Sequence, residues 1–400
     1  MTTTAGMKKS PSPLPARAEA APDWAALREQ FPTTERFVYL DSARKAILPR
    51  SVEAAIGEWL ADVYERAGKD AFSMERVEDA RRAVAGLIGA PAGTVALIKN
   101  TSEGINILAQ GLGLKSGDNV LVSLAEHENN TFPWRHLATK GVEIRWVRPA
   151  ADGRVPLSAY ADAIDSNTRA VAAAWVTYGN GFRTDVPALG ALCRDHGARL
   201  IVDGVQGAGV IAAPLADLGA DAVVCGGHKG MLSLAGAGFM YVRRDLIGKI
   251  TPPYAAKYSF TSNDRTQDRP TLAPDAHRFE YGNPNFLGIW VQRRSAEYLT
   301  AIGLENIEAR VRELTTHLIE GAGERGIVVR TPRPWRERAG IVSFEIEGDA
   351  EAIVAALAER NIIVSVKDGH IRASVQFYND EEDLERFLDA VTSFSHHKIS

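Results

Sequence analysis

The chain has 400 residues, with 46 Lys plus Arg against 50 Asp plus Glu and a formal net charge of −4. Its 45% hydrophobic and 24% charged residues are an ordinary globular balance, long enough for a large core in two lobes and without the basic excess that bulk nucleic-acid binding needs. Its 2 cysteines, Cys193 and Cys225, exclude a disulfide framework and a cysteine-based zinc site.

In chain order, residues 1–22 are rich in Thr, Ser, Pro and Ala and read as a flexible arm. They hold no apolar run of signal-peptide length, and no segment approaches ~20 uninterrupted apolar residues. We therefore expect a cytoplasmic protein with no membrane span, and no bound metal. FVYLDSA is a first strand that docks on either lobe. SVEAAIGEWLADVYERAG and SMERVEDARRAVAGLIG carry the helical period. Seven β-rich runs then follow between residues 94 and 244: TVALIKN, NVLVSLA, VEIRWVR, AVAAAWVTY, ARLIVDG, AVVCGG and GFMYVRR. Helical segments separate most of them. Several runs are apolar throughout, the pattern of central strands in a mainly parallel sheet covered on both faces. The last two are joined by too short a segment for a helical crossover, so one strand there is expected to run antiparallel.

Thr251–Asn283 is polar, rich in Pro and aromatics, and without period, as functional or interface loops are. Two helical stretches and a β-β-α-β-β-α tail complete the chain. The expected architecture is α/β. A large domain over 23–284 has a seven-stranded, mainly parallel sheet, and a small C-terminal α/β domain over 285–400 has a largely antiparallel one.

No GxxxxGK[ST] and no HExxH is present. Gly207-Ala208-Gly209-Val210-Ile211-Ala212 matches GxGxxA after a strand, which keeps a nicotinamide-linked oxidoreductase as the other-class alternative. Asp203 ends one apolar strand, and Lys229 follows the next after two glycines, with Gln206 and His228 nearby. Parallel neighbours would bring both to one rim, where ligands of open α/β sheets bind. There the pair reads either as a desolvated lysine that forms a Schiff base beside a carboxylate that keeps a pyridinium protonated, or as an ordinary rim lysine and loop aspartate. Thr101 and Ser102 stand at a helix start, as a phosphate cradle or as a cap alone. His127, at a strand end, stacks on a planar cofactor and moves protons, or is structural. Tyr178 follows another strand, within reach of a cofactor oxygen or a proton transfer. The convergence of four or five polar strand ends outweighs any one of them.

With these residues in view, the sequence resembles the class V aminotransferase family. These are fold-type-I pyridoxal phosphate enzymes, among them cysteine desulfurases, selenocysteine lyase and isopenicillin N epimerase. The matching stretches are KNTSEGIN, AEHENNTFPW, VTYGNGFRTD, LIVDGVQGAG, GGHKG, FEYGNPN and IRASVQFYN. The resemblance implies pyridoxal 5'-phosphate as cofactor and Lys229 as its Schiff-base lysine. It implies Asp203 on the pyridine nitrogen, Gln206 on the phenolic oxygen and His127 stacked on the ring. Thr101, Ser102 and His228 become phosphate ligands, and Arg372 grips the substrate carboxylate. Asn283 would reach the phosphate of a neighbouring subunit, in a homodimer with sites at its interface. Catalysis would fall to Lys229, His127 and Tyr178, acting at Cα of an amino acid.

Four departures from the family pattern bear on the reaction. Asn361–His370, where desulfurases carry a mobile-loop cysteine, is short and has no cysteine, which argues against a persulfide-forming desulfurase. Tyr178 stands where desulfurases have asparagine, as in epimerase-like and C–S lyase-like branches. Gly226 replaces a serine. Arg44 and Lys45 add positive charge near a substrate entrance, suited to a second carboxylate or a sulfonate, or simply surface charge. Transamination is the family default, with a β-eliminating C–S lyase and then an amino acid epimerase as alternatives.

Overall fold

The computed structural model describes residues 21–395, so all but the last two residues of the expected arm 1–22 lie outside the described residues. The strands are β1 (Val38–Tyr39), β2 (Val95–Ile98), β3 (Asn119–Ser123), β4 (Glu143–Val147), β5 (Thr168–Ala174), β6 (Arg199–Asp203), β7 (Ala222–Gly226), β8 (Gly238–Val242), β9 (Val328–Val329), β10 (Ile341–Glu345), β11 (Ile362–Ile363), β12 (Ser365–Lys367) and β13 (His370–Ser374). The seven β-rich runs become β2 to β8 and form one sheet in the order β2-β8-β7-β6-β5-β3-β4. β4, β3, β5, β6 and β7 pair parallel. β8 is antiparallel to both β7 and β2, because a short connection from β7 leaves no room for a crossover helix.

The unbroken apolar runs have a direct cause. Side chains of a strand alternate between faces, and here both faces are covered. Leu200 and Val202 of β6 enter one core cluster with Leu189 and Cys193, while Ile201 enters another with Ile105 and Leu108. The helix Val186–Asp195 packs on β6, and the helix Thr101–Gly111 packs on β7 and β8. The helix Phe286–Ile302 lies against the helices Arg50–Arg66 and Met74–Leu87. Helix ends follow local chemistry: Ser73 and Asp185 accept backbone N–H groups of the helices that they start.

A second sheet has the order β12-β13-β10-β9, all antiparallel. β1 pairs parallel with β11, and Asp41 bridges to Ser374 of β13. The N-terminal strand thus lies against the C-terminal part of the chain. The run IIVSVKDG divides at Val364: its first half joins β1 and its second joins β13. Among the described residues no helix is long and apolar enough to cross a membrane.

The GxGxxA match is explained by packing, which removes the basis of the nicotinamide reading. β6 is followed by turns rather than a helix, so no helix N-terminus stands there to receive a pyrophosphate. A Cβ on Gly207 would lie 2.5 Å from the Trp175 ring, and one on Gly209 would lie 2.2 Å from the Gly230 carbonyl oxygen. Gly209 also has φ of +78°. The two glycines let this turn press against Trp175 and against the chain just past Lys229. Gly209→Ala is expected to destabilise the fold by at least ~1–3 kcal/mol, read as a lower midpoint in urea denaturation.

Candidate active site

At the carboxyl ends of β2, β3, β5, β6 and β7, the chain encloses a cavity of about 190 Å³. Thr101, Glu126, His127, Tyr178, Asp203, Gln206, His228, Lys229 and Arg372 all line it. The parallel register places Asp203 beside Ala174 on β5 and Val224 on β7, so the turn that carries Lys229 leaves the sheet next to the Asp203 carboxylate. Of the residues expected at the site, Ser102 sits half-buried on the first turn of its helix, outside the lining set. Asn283 is exposed and lines a different cavity of about 40 Å³ with Lys99, Glu103 and Tyr281. Within one chain it is not brought to Lys229.

Lys229 is placed by backbone bonds on both sides. Gly227 N–H donates to Ala237 O at 2.7 Å, and Leu232 N–H donates to Lys229 O at 2.8 Å. Burial pushes the Lys229 amine below the usual lysine range, against the opposing pull of Asp203. Asp203 is 5% exposed, and its Oδ1 accepts Val205 N–H at 3.0 Å. Burial raises its carboxyl, while the Val205 N–H and the Lys229 charge hold it down. Gln206 lines the cavity with one amide N–H already given to Ala43 O at 2.9 Å.

Thr101 Oγ1 accepts Gly226 N–H at 3.0 Å, which leaves its own proton free to donate. A Cβ on Gly226 would lie 3.2 Å from His228 Nδ1 and 3.4 Å from Thr101 Oγ1. Glycine here keeps open the gap between the two side chains. Burial, then the Lys229 and Lys45 charges, lower the His228 imidazole to about 4, so it is neutral at pH 7.

His127 caps the helix Glu128–His136, with Nδ1 accepting Asn129 N–H at 3.1 Å. That acceptor role puts the proton of the neutral ring on Nε2. Burial lowers its pKa, which favours this neutral form. Tyr178 meets the ring edge-on, with centroids 5.1 Å apart at 74°, and burial raises its phenol.

Arg372 is 2% exposed and comes from β13. Its Nη2 donates to Asp41 Oδ1 at 3.2 Å and to Ser365 Oγ at 2.9 Å, and its Nη1 donates to the Tyr178 carbonyl at 2.9 Å. Asp41 and Ser365 were not singled out from sequence. The available signal was an aspartate ending the apolar run FVYL.

Glu126 was likewise passed over beside His127, although a carboxylate closing an apolar strand was the clue. It is buried, with Oε1 accepting Ala174 N–H at 2.6 Å and Oε2 accepting Asn130 Nδ2 at 2.8 Å. Burial, with the Asp203 charge adding to it, pushes its carboxyl up to about 8. The folded chain therefore binds this proton more tightly than the unfolded chain does. The stability contributed is present below the ordinary value of 4.5 and is lost as pH rises toward about 8. In Glu126→Gln that part of the pH dependence is expected to vanish, so denaturation midpoints from pH 5 to 8 should flatten relative to wild type.

A family model described as aminotransferase class-V matches residues 38–387. A probable cysteine desulfurase of Methanothermobacter thermautotrophicus is 30% identical over 382 residues, spanning 90% of this chain and 95% of the relative. The apo cysteine desulfurase of Thermococcus onnurineus superposes with a TM-score of 0.85 at 28% identity, over 94% of this chain and 99% of the other. A cystine C–S lyase in complex with its product cysteine persulfide superposes with a TM-score of 0.84 at 23% identity, over 91% and 99% of the two chains, a likeness of fold alone.

Proposed function

The chain belongs to the class V aminotransferase family, and from that premise we propose that it is a pyridoxal-phosphate-dependent lyase that breaks the Cβ–S bond of a cysteine-type amino acid by β-elimination. The cavity suits that cofactor. An amine whose pKa burial lowers, a buried carboxylate on the neighbouring strand, and a hydroxyl and imidazole flanking the gap at Gly226 match an aldehyde, a ring nitrogen and a phosphate. Lys229 would hold the aldehyde carbon, Asp203 the ring nitrogen, and Thr101 and His228 the phosphate. His127 would cover the ring and Gln206 would reach the phenolic oxygen. We also propose a homodimer in which Asn283 serves the partner's site.

The observation that carries the choice of reaction is the wall at residues 365–370. β12 and β13 are joined by a two-residue turn at Asp368 and Gly369, with φ of +52° and +77°. A tight hairpin stands where a mobile cysteine loop would carry sulfur. Cys193 and Cys225 are both 0% exposed. Burial pushes the Cys193 thiol up to about 12, and the Cys225 thiol is raised for the same reason. Neither presents a thiolate to the cavity. The named relatives include cysteine desulfurases, so chemistry at sulfur is favoured over the family default of transamination. Without an acceptor thiol, sulfur leaves with the departing group.

When bound, the cofactor supplies an electron sink for negative charge at Cα. Arg372 orients the substrate carboxylate, its own plane fixed by Asp41 and Ser365. Lys229 Nζ, whose pKa burial lowers, takes the Cα proton. The Cβ–S pair leaves on sulfur as a thiolate, to which the Nε2–H of neutral His127 donates a hydrogen bond. Water then converts the released aminoacrylate to a 2-oxo acid and ammonium. With cysteine and no added 2-oxo acid, we expect hydrosulfide and pyruvate in equal amounts. Alanine as the product, or a requirement for an acceptor 2-oxo acid, overturns the assignment.

A further inference from the structure

Two cations on the cavity wall have no role in the chemistry above. Arg44 and Lys367 both line it, and among the described residues neither side chain makes a hydrogen bond or an ion pair with another residue. Arg372, in contrast, is engaged by Asp41, Ser365 and the Tyr178 carbonyl. The cavity's own carboxyls are committed elsewhere. Glu126 is bound to Ala174 and Asn130, and Asp203 to Val205. Asp368 folds toward Gly179, where an added Cβ would meet its Oδ2 at 2.6 Å. Glu128 lies against His127 at 3.4 Å.

Position separates Lys367 from the phosphate cradle. Thr101 and His228 follow β2 and β7, while His127 and Tyr178 follow β3 and β5, further along the strand order. Lys367 acts electrostatically on His127. Its strand position is set by pairing with His370 across the hairpin turn, so its backbone is held at the wall rather than swinging on a loop. Arg44 acts on Arg372. Both cations thus sit on the substrate side.

Resting on the lyase reading, we propose that the substrate is an S-substituted cysteine whose sulfur substituent ends in an anionic oxyacid group, a carboxylate or a sulfonate, received by Lys367 with Arg44 beside it. Lys367 is half-buried and Arg44 is exposed at the cavity rim; a cation without a side-chain partner gains from such a ligand, since charge-assisted hydrogen bonds are the strong ones. No covalent step is added; the pair selects the substrate.

The test uses holoenzyme and isosteric probes: S-carboxymethylcysteine against S-carbamoylmethylcysteine, with S-sulfocysteine as the second oxyacid and glutamate against glutamine as a sulfur-free pair. Binding is read by calorimetry and by the visible spectrum, separately from turnover. We expect the anionic member of a pair to bind at least ~10-fold more tightly, the size of one hydrogen bond to a charged group. In Lys367→Met with Arg44→Met the preference should fall to within about twofold, through KM for the anionic member, and Lys367→Arg should restore it. Equal binding within every pair overturns the proposal, as does an unchanged preference in the double variant. A tenfold loss of pyridoxal phosphate affinity in Lys367→Met also overturns it, since Lys367 would then serve the cofactor. Anion preference without elimination leaves the anion-binding role of Lys367 and Arg44 standing, and removes the lyase reading and the S-substituted cysteine with it.

Discussion

Lys229→Ala is expected to lower turnover by at least ~10²–10⁴-fold, the share of a general base alone, and to release the cofactor on dialysis with loss of the visible band. The reasoning runs from burial. A lysine amine is a base and a nucleophile only when neutral, and the cavity lowers its pKa by withholding water. Alanine removes both the covalent hold and the base. Lys229→Arg separates charge from nucleophilicity: guanidinium keeps the positive charge beside Asp203 and does not deprotonate, so it should be as inactive as alanine. Far-ultraviolet dichroism should show both variants folded, because Gly227, Leu232 and Ser233 hold this turn through backbone bonds. Full turnover in Lys229→Ala would remove Lys229 from the chemistry.

The second large effect concerns Arg372, and it has two parts. The Arg372–Asp41 pair joins side chains that are 2% and 1% exposed. Removing one partner of a buried pair strands the other, so Arg372→Leu is expected to destabilise the fold by about 3–5 kcal/mol. It should also raise KM, since the substrate carboxylate loses its partner. The double variant Asp41→Asn with Arg372→Leu distinguishes the two roles. With the stranded charge gone, most of the stability should return in urea denaturation, while KM stays high. If substrate affinity recovers along with stability, Arg372 is a structural residue and does not contact the substrate.

Much of the large sheet was legible in the chain. An apolar run bounded by turns and followed by helical period is the imprint of a strand buried on both faces, and all seven runs became strands. The antiparallel strand was readable too, because the β7–β8 connection is too short for a crossover. Thr101, His127, Tyr178, Asp203, Gln206, His228 and Lys229 reach one cavity because parallel strands align their carboxyl ends. Position relative to a strand end therefore predicts position in space. Ser102 falls just outside the lining set, since a helix turns about 100° per residue and carries the second hydroxyl to another face.

The seven strands of the large sheet, the polar residues that follow them and the lack of a cysteine between Asn361 and His370 can be read from the chain alone, whereas the short helices Trp24–Arg28 and Arg244–Ile247 and the division of IIVSVKDG could not. Local periodicity encodes the strands, because burial of one face or two is written into every second or fourth residue. What stands opposite Arg372 is set by long-range folding. Its partner Asp41 is 331 residues away in the chain, brought there by the pairing of β1 with β11 and the bridge from Asp41 to Ser374. The tertiary structure likewise decided that Glu126 is a sealed carboxyl and that Lys367 lines the cavity with no side-chain hydrogen bond or ion pair among the described residues. Such contacts arise where two sheets meet, and their energetics depend on desolvation and on which charges oppose one another. No spacing along a single strand carries that information.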